Sequence, residues 1–274
     1  MIHSVSFTNF QGLTTPEPLP LSKFTVLIGL NGSGKTAVLR ALWFVLSHAR
    51  DADKCLSRQD VPPDPKWSVE TMGIGDSAAA YVYPNGAVLF SRCASSRIPP
   101  PVMVDDESVD YVVRGWRNSG RMWPGLEDLV KEGAVLPPVV TPEAAAAADR
   151  GIDDRPWRLS RGVLQAIAAK QLFWTHPNAR VLLWDDLGSS MHPALVQHVV
   201  RWLVRLGRVQ VVASTHSIDV LHELAMSTVG YTVLRLRRDG ERVTAENLRA
   251  GDIDKYFEDG IDPRKVLGGR EGGA

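Results

Sequence analysis

The stretch FTVLIGLNGSGKTAVLRALWFVLSHA, residues 24–49, decides the architecture. Its opening, FTVLIG, is apolar and rich in β-branched residues, as a buried strand is. AVLRALWFVLSHA then places apolar residues at helical spacing. Between them GLNGSGKT, Gly29 to Thr36, matches G-x-x-x-x-G-K-[ST] in full. In that pattern glycines let backbone N–H groups turn inward on an anion, and the following helix N-terminus adds its dipole. The alternative is a plain glycine-rich turn. The complete motif, set between strand and helix as its mechanism requires, argues against that.

Working outward, IHSVSF alternates like a half-buried strand, and a Pro-rich turn, TTPEPLPLS, follows it. From residue 159 a regular alternation appears: SRGVLQAIAAKQLFW (helix), RVLLWD (strand), PALVQHVVRWLVRLG (helix), VQVVAST (strand), SIDVLHELAMS (helix) and YTVLRLRR (strand). Apolar strands alternating with helices predict a mostly parallel sheet covered on both faces. Residues 51–158 read differently, broken by VPPDP, IPPPV, WPG and LPP. AAAYVYPNGAVLFS predicts a hairpin turning at Asn85-Gly86, VDYVVRGW a further strand, and TPEAAAAADRG (141–151) a short helix. No sustained heptads and no internal repeat are found, and the LGGREGGA tail is expected to be disordered.

Bulk properties bound the function. The 31 basic and 31 acidic residues cancel, so no whole-molecule pull on polyanions is expected. Cys55 and Cys93 lack metal-like spacing and read as ordinary thiols in a reducing compartment. No signal peptide and no apolar run near the ~18 residues of a membrane span are seen. The expectation is a soluble, cytoplasmic protein without membrane insertion.

RVLLWDDLGSSMHP, residues 180–193, supplies the second half of the site. A carboxylate ending a buried strand beside a phosphate-binding loop holds Mg²⁺ in P-loop nucleoside triphosphatases, which assigns Asp185. The motif's own mechanics assign the rest. Asn31, Gly32, Ser33, Gly34, Lys35 and Thr36 bind ATP, Lys35 reaching the β- and γ-phosphates and Thr36 lending its hydroxyl to the metal.

Three stretches resemble one branch of these proteins. LSRG, Leu159 to Gly162, resembles the ABC signature motif; DDLGSSMHP resembles the DEPExxLHP stretch; and STHS, Ser214 to Ser217, resembles the switch-histidine loop. The order of motifs, with the SVSFTNFQGL…GLNGSGKT opening, looks like the SMC/RecF/OLD-like AAA-family branch of ABC-type ATPases. The likeness covers residues 1–50 and 157–240 well and 51–156 poorly. It implies an α/β P-loop NTPase fold: an ABC-ATPase head with a mostly parallel central sheet, an antiparallel β subdomain and a small helical insert. It divides the chain into a core half with the P-loop (1–50), an insert (51–156), a second core half (157–250) and a tail (251–274). It implies ATP and Mg²⁺ as cofactors. It also implies a head-to-tail homodimer in which Ser160 and Gly162 touch the ATP of the other subunit. There are departures: Arg161 and Val163 stand where the signature has glycine and Gln, and Leu187 and Gly188 replace the Pro and second acid of DEPE. Too few residues follow His216 for a TOPRIM nuclease domain.

In such ATPases the residue after the Walker B Asp is normally Glu, which orients the attacking water. Here it is Asp186, one methylene shorter, and a ~1 Å misplacement costs on the order of a hundredfold. Asp186 is a slower general base, a deliberately weak one, or a strand-end carboxylate with hydrolysis handled elsewhere. Lys35, Asp186 and His216 are the catalytic candidates, His216 through a hydrogen bond to the γ-phosphate. Gln59 is the sole Gln available between P-loop and signature to link metal and water, and an exposed loop Gln reads equally well.

What the ATPase acts on is less legible. Arg114, Arg117 and Arg121 interleave with Tyr111, Trp116 and Trp123, a pattern suited to a nucleic-acid strand. His198, Arg201, Arg205 and Arg208 share a helical face. Both sets are more often solvated surface, and DDESVD (105–110) interrupts any uniform basic groove. The reading is a slow Mg²⁺-dependent ATPase that dimerises around ATP and gates a partner, DNA or a separate effector protein. A transporter's nucleotide-binding subunit and a non-hydrolysing ATP-clamped scaffold are the alternatives.

Overall fold

The computed structural model describes residues 1–48, 66–73, 76–82, 88–94, 101–119, 161–227 and 230–263. Two sheets organise them. The central sheet has the order β11-β10-β3-β9-β8-β7, built from β3 (Phe24–Ile28), β7 (Val102–Val104), β8 (Val181–Trp184), β9 (Gln210–Ser214), β10 (Thr232–Asp239) and β11 (Arg242–Leu248). Every pairing from β7 to β10 is parallel; β11 alone runs antiparallel, at one edge. Strands β3, β8 and β9 are buried along their whole length, as parallel strands covered on both faces must be.

Their side chains alternate between two cores. Val26, Ile28, Leu182, Trp184, Val211 and Ala213 face one, and Leu27, Leu183, Val212 and Leu234 face the other. Helices α3 (Arg161–Thr175), α4 (Pro193–Arg205), α5 (Ile218–Ala225) and α6 (Ala250–Glu258) pack into the first core. Helix α1 (Lys35–His48) fills the second with Val38, Ala41, Leu42, Val45 and Leu46 at helical spacing. The second sheet is antiparallel, order β2-β1-β4-β5-β6, with β1 (Ile2–Thr8), β2 (Leu19–Pro20), β4 (Trp67–Gly73), β5 (Asp76–Val82) and β6 (Val88–Ala94). Buried Gln210 ties the two sheets together. Its amide accepts from Ile2 N at 2.9 Å and donates to Ile2 O at 2.6 Å and Ser22 O at 2.9 Å.

Several expectations change. VDYVVRGW is not a strand: it lies in helix α2 (Asp106–Ser119). Asp105 caps that helix reciprocally, Ser108 N donating to Asp105 Oδ1 at 2.8 Å and Asp105 N to Ser108 Oγ at 2.9 Å. Val109, Val112, Val113 and Trp116 then fall at the helical i, i+3, i+4, i+7 spacing. The segment 101–119, grouped by sequence with the insert, supplies the edge strand of the central sheet through β7. The predicted hairpin exists as β5 paired with β6 through Val82 and Val88, but its second sheet also recruits β1. The expected tail begins with α6, whose Ile253 is fully buried. TPEAAAAADRG, the Asn85-Gly86 turn, Cys55 and LGGREGGA lie outside the described residues. Among the described residues no helix is long and apolar enough to cross a membrane.

Candidate functional site

The phosphate loop leaves β3 at Gly29, whose φ of +143° excludes most side chains. A Cβ there would sit 2.5 Å from the Leu236 carbonyl oxygen and 2.8 Å from Ser33 Oγ. Gly32 and Gly34 also have positive φ, and Gly34 lies against Val243 of β11. The loop crest is open: Leu30, Asn31 and Gly32 are exposed, whereas Ser33 and Lys35 are buried. Ser33 Oγ has no hydrogen-bond partner among the described residues. A buried hydroxyl without a partner, on a glycine-rich loop at a helix N-terminus, fits a phosphate oxygen.

Lys35 Nζ folds back onto the loop and donates to Gly29 O at 3.1 Å and Leu30 O at 3.0 Å. Burial pushes the Lys35 ammonium below its ordinary pKa of 10.5, while the carboxylates of Asp185 and Asp186 act in the opposite direction. Such a desolvated cation gains most from a dense anionic partner.

Asp185 continues β8 by donating its N–H to Val104 O at 2.9 Å. Its Oδ1 accepts from Thr36 Oγ1 at 3.2 Å and from Ser214 Oγ at 2.6 Å. Thr36 and Asp185, 149 positions apart in sequence, are thus brought together by the parallel sheet. Two hard oxygen donors beside a phosphate cradle fit Mg²⁺, the metal the P-loop fold implies.

Asp186 has a left-handed backbone, φ +56°. Its N–H donates to Ser214 Oγ at 2.8 Å, and its buried Oδ1 has no hydrogen-bond partner among the described residues. The loop that follows is latched to the end of β9. Leu187 N donates to Ser214 O at 2.8 Å, and Thr215 Oγ1 to Leu187 O at 2.6 Å. Gly188, at φ +87°, leaves room for Val220 and Ser217, which a Cβ would meet at 2.8 and 3.0 Å. The departures Leu187 and Gly188 are therefore packing choices: a buried apolar plug and a close approach. His216 is exposed on the loop between β9 and α5.

At the signature, Gly162 has a local reason to be glycine. A Cβ would lie 2.5 Å from Ser190 O, so α3 rests directly on the loop that carries Asp185 and Asp186. Arg161, which departs from the signature, binds Asp110 Oδ1 at 2.9 Å and Asp106 Oδ1 at 2.5 Å. Those two carboxylates hold its guanidinium pKa above the ordinary value. Arg114 is exposed, its Nε donating to Asp110 O at 3.2 Å. Ser160, Gln59 and Arg121 lie outside the described residues, and Arg117 is described only as part of α2. Ser214 was missed as a site residue in its own right. The available signal was a hydroxyl closing the buried run VQVVAS beside VLLWD.

Residues 1–80 match the family model "AAA ATPase domain", and residues 149–222 match "AAA domain, putative AbiEii toxin, Type IV TA system". No curated protein matches. Among solved structures the chain is similar to the Smc head bound to the C-winged helix domain of ScpA, with 14% identity and a TM-score of 0.58. That match covers 93% of this chain and 99% of that one. It is also similar to the SMC head domain from Thermotoga maritima (13% identity, TM-score 0.53, 90% and 99% covered). A third is the recombination mediator protein RecF-ATPrS in the RecFOR pathway (12% identity, TM-score 0.51, 89% and 98% covered). The chain thus matches AAA-family ATPase models over residues 1–80 and 149–222 and shares the α/β fold of SMC heads and RecF.

Proposed function

We propose that the protein binds ATP with Mg²⁺, hydrolyses it slowly and dimerises head-to-tail around it. The observation that carries this reading is the convergence of Lys35, Thr36, Asp185 and Asp186 at the ends of β3 and β8. Lys35 would leave its loop carbonyls for the β- and γ-phosphates, and the N–H groups of Gly32 to Thr36 would surround them. Thr36 and Asp185 would hold the metal, which when bound neutralises charge on the phosphates. Asp186, whose buried Oδ1 lacks a partner, would orient the attacking water and take its proton. The exposed crest at Leu30 to Gly32 and exposed His216 support a second subunit closing this edge. So does the α3 N-terminus beside Ser160, which would present its amides to the partner's nucleotide.

Phosphate release from ATP tests the reading. Wild type should turn over with Mg²⁺, and Lys35→Ala and Asp186→Asn should each lose about 10²- to 10⁴-fold. A wild type no faster than the variants would overturn it. One observation favours a second reading, the ATP-clamped scaffold: the carboxylate at 186 is a methylene short. ATP retained through purification without turnover would select it. For the downstream partner, DNA or a separate effector protein, the exposed Arg114 on α2 is the point of contact we propose. Adding duplex or single-stranded DNA to the same assay tests the nucleic-acid arm.

A further inference from the structure

The geometry points to Ser214 as a positioning residue that holds the Asp185 carboxylate and the Asp186 peptide, and so tunes metal affinity from the adjacent strand β9. This rests on the ATP and Mg²⁺ reading above.

Ser214 is the last residue of β9, next to β8 in the sheet, and is 1% exposed. Its single hydroxyl does two jobs at once. It donates to Asp185 Oδ1 at 2.6 Å and accepts from Asp186 N at 2.8 Å. The first bond spends the only proton of the hydroxyl on the metal carboxylate, fixing its rotamer and leaving Oδ2 outside the bond. The second holds the peptide at which the chain turns left-handed. A left-handed aspartate costs backbone energy and persists only where neighbours over-determine it. Here the neighbours are Ser214 Oγ and, one residue on, Ser214 O, which accepts from Leu187 N at 2.8 Å. One residue therefore supplies two of the bonds that fix this turn; Thr215 Oγ1 to Leu187 O and Ser189 N to Asp186 O, at 3.1 Å, are others.

Geometry also excludes a simple packing role. A residue needed only to fill space at the end of β9 would be apolar, like Val211, Val212 and Ala213 before it. The hydroxyl is buried because both of its bonds are satisfied, one at the Asp185 carboxylate and the other at the Asp186 backbone N–H. Thr36 approaches the same Asp185 oxygen at 3.2 Å, so the donors on Oδ1 come from the first turn of α1 and the end of β9. Second-layer hydrogen bonds of this kind orient ligating carboxylates, and their loss typically weakens metal binding 10- to 100-fold.

The test measures binding, independent of turnover. ATP affinity is titrated by calorimetry in EDTA and across a Mg²⁺ series, for wild type, Ser214→Ala, Ser214→Cys and Ser214→Thr. The Ala and Cys variants lack the hydroxyl and bracket its volume; Thr retains it. Circular dichroism and thermal melts establish that each is folded. We expect the Mg²⁺ concentration for half-maximal enhancement to rise about tenfold or more in the folded Ala or Cys variant. Metal-free ATP affinity should stay within about twofold, and Thr should restore the wild-type Mg²⁺ response. An unchanged Mg²⁺ response in a folded hydroxyl-less variant overturns the inference. So does an equal loss with and without metal. A wild type that binds no ATP, or binds it as Lys35→Ala does, sinks the functional reading itself.

Discussion

At Lys35 and Tyr231 burial acts on single titratable groups with opposite consequences for pH. Lys35 is charged against desolvation, so its folded pKa is depressed below 10.5. The unfolded chain then binds the extra proton, and apo stability rises as pH climbs from the depressed value towards 10.5. Tyr231 is pushed up to about 12 by burial, with the charge of Asp254 adding to it. It keeps its proton in the folded state where the unfolded phenol, at ~10, has lost it. Its contribution is intact below pH 10 and is lost as pH rises towards 12. Its hydroxyl is also buried without a hydrogen-bond partner among the described residues. Tyr231→Phe should therefore match or exceed wild-type stability at pH 8, by up to about 1 kcal/mol, since an unsatisfied hydroxyl stabilises nothing. It should fall less than wild type between pH 8 and pH 11. Urea midpoints at the two pH values check this; a variant that falls in parallel with wild type refutes it.

Among the elements, α3 is the pivot. It sits on the Walker B loop through Gly162 and on α2 through Arg161. The two contacts have different magnitudes. Gly162→Ala must displace backbone and Met191 that a Cβ would meet at 2.5 to 2.8 Å. A destabilisation of about 1–3 kcal/mol is expected, as for other overpacked sites. Arg161→Gln removes pairs whose carboxylates are 81% and 61% exposed, so it should cost under about 1 kcal/mol. Chemical denaturation of both variants should rank them in that order; a larger loss for Arg161→Gln would mean that α2 depends on the ion pairs for its docking. Helix α2 itself shows why a strand was read there. VDYVV is β-rich in composition, and the helical answer is set by the Asp105–Ser108 cap together with the spacing of Val109, Val112, Val113 and Trp116.

For the whole molecule, the proposed function links nucleotide and assembly. Whatever binds the folded dimer and not the unfolded chain stabilises it, by about 2.7 kcal/mol at a hundredfold excess over Kd. Asp186→Asn with ATP and Mg²⁺ should therefore melt several degrees higher than without nucleotide. It should sediment as a dimer with ATP and as a monomer with ADP. Lys35→Ala should show neither change. Sedimentation velocity alongside thermal melts decides; a dimer that ignores the nucleotide would remove ATP as its glue.

The sequence by itself determined the glycine-rich loop, the order of buried strands and helices around it, and the place of Asp185 at the end of a buried strand. Those features are local: glycine spacing, β-branched runs and helical periodicity act over a few residues. Only the tertiary structure decided what the features touch. The antiparallel sheet that joins β1 to β4, β5 and β6, the edge strand β7, the Arg161 ion pairs and the two hydrogen bonds of the Ser214 hydroxyl all join residues far apart in the chain. Strand registry and helix docking place such pairs, and no short-range pattern carries that information. The β10–β11 hairpin is the exception. Its two-residue Gly240-Glu241 turn, with Gly240 at φ +57°, is a short-range signal.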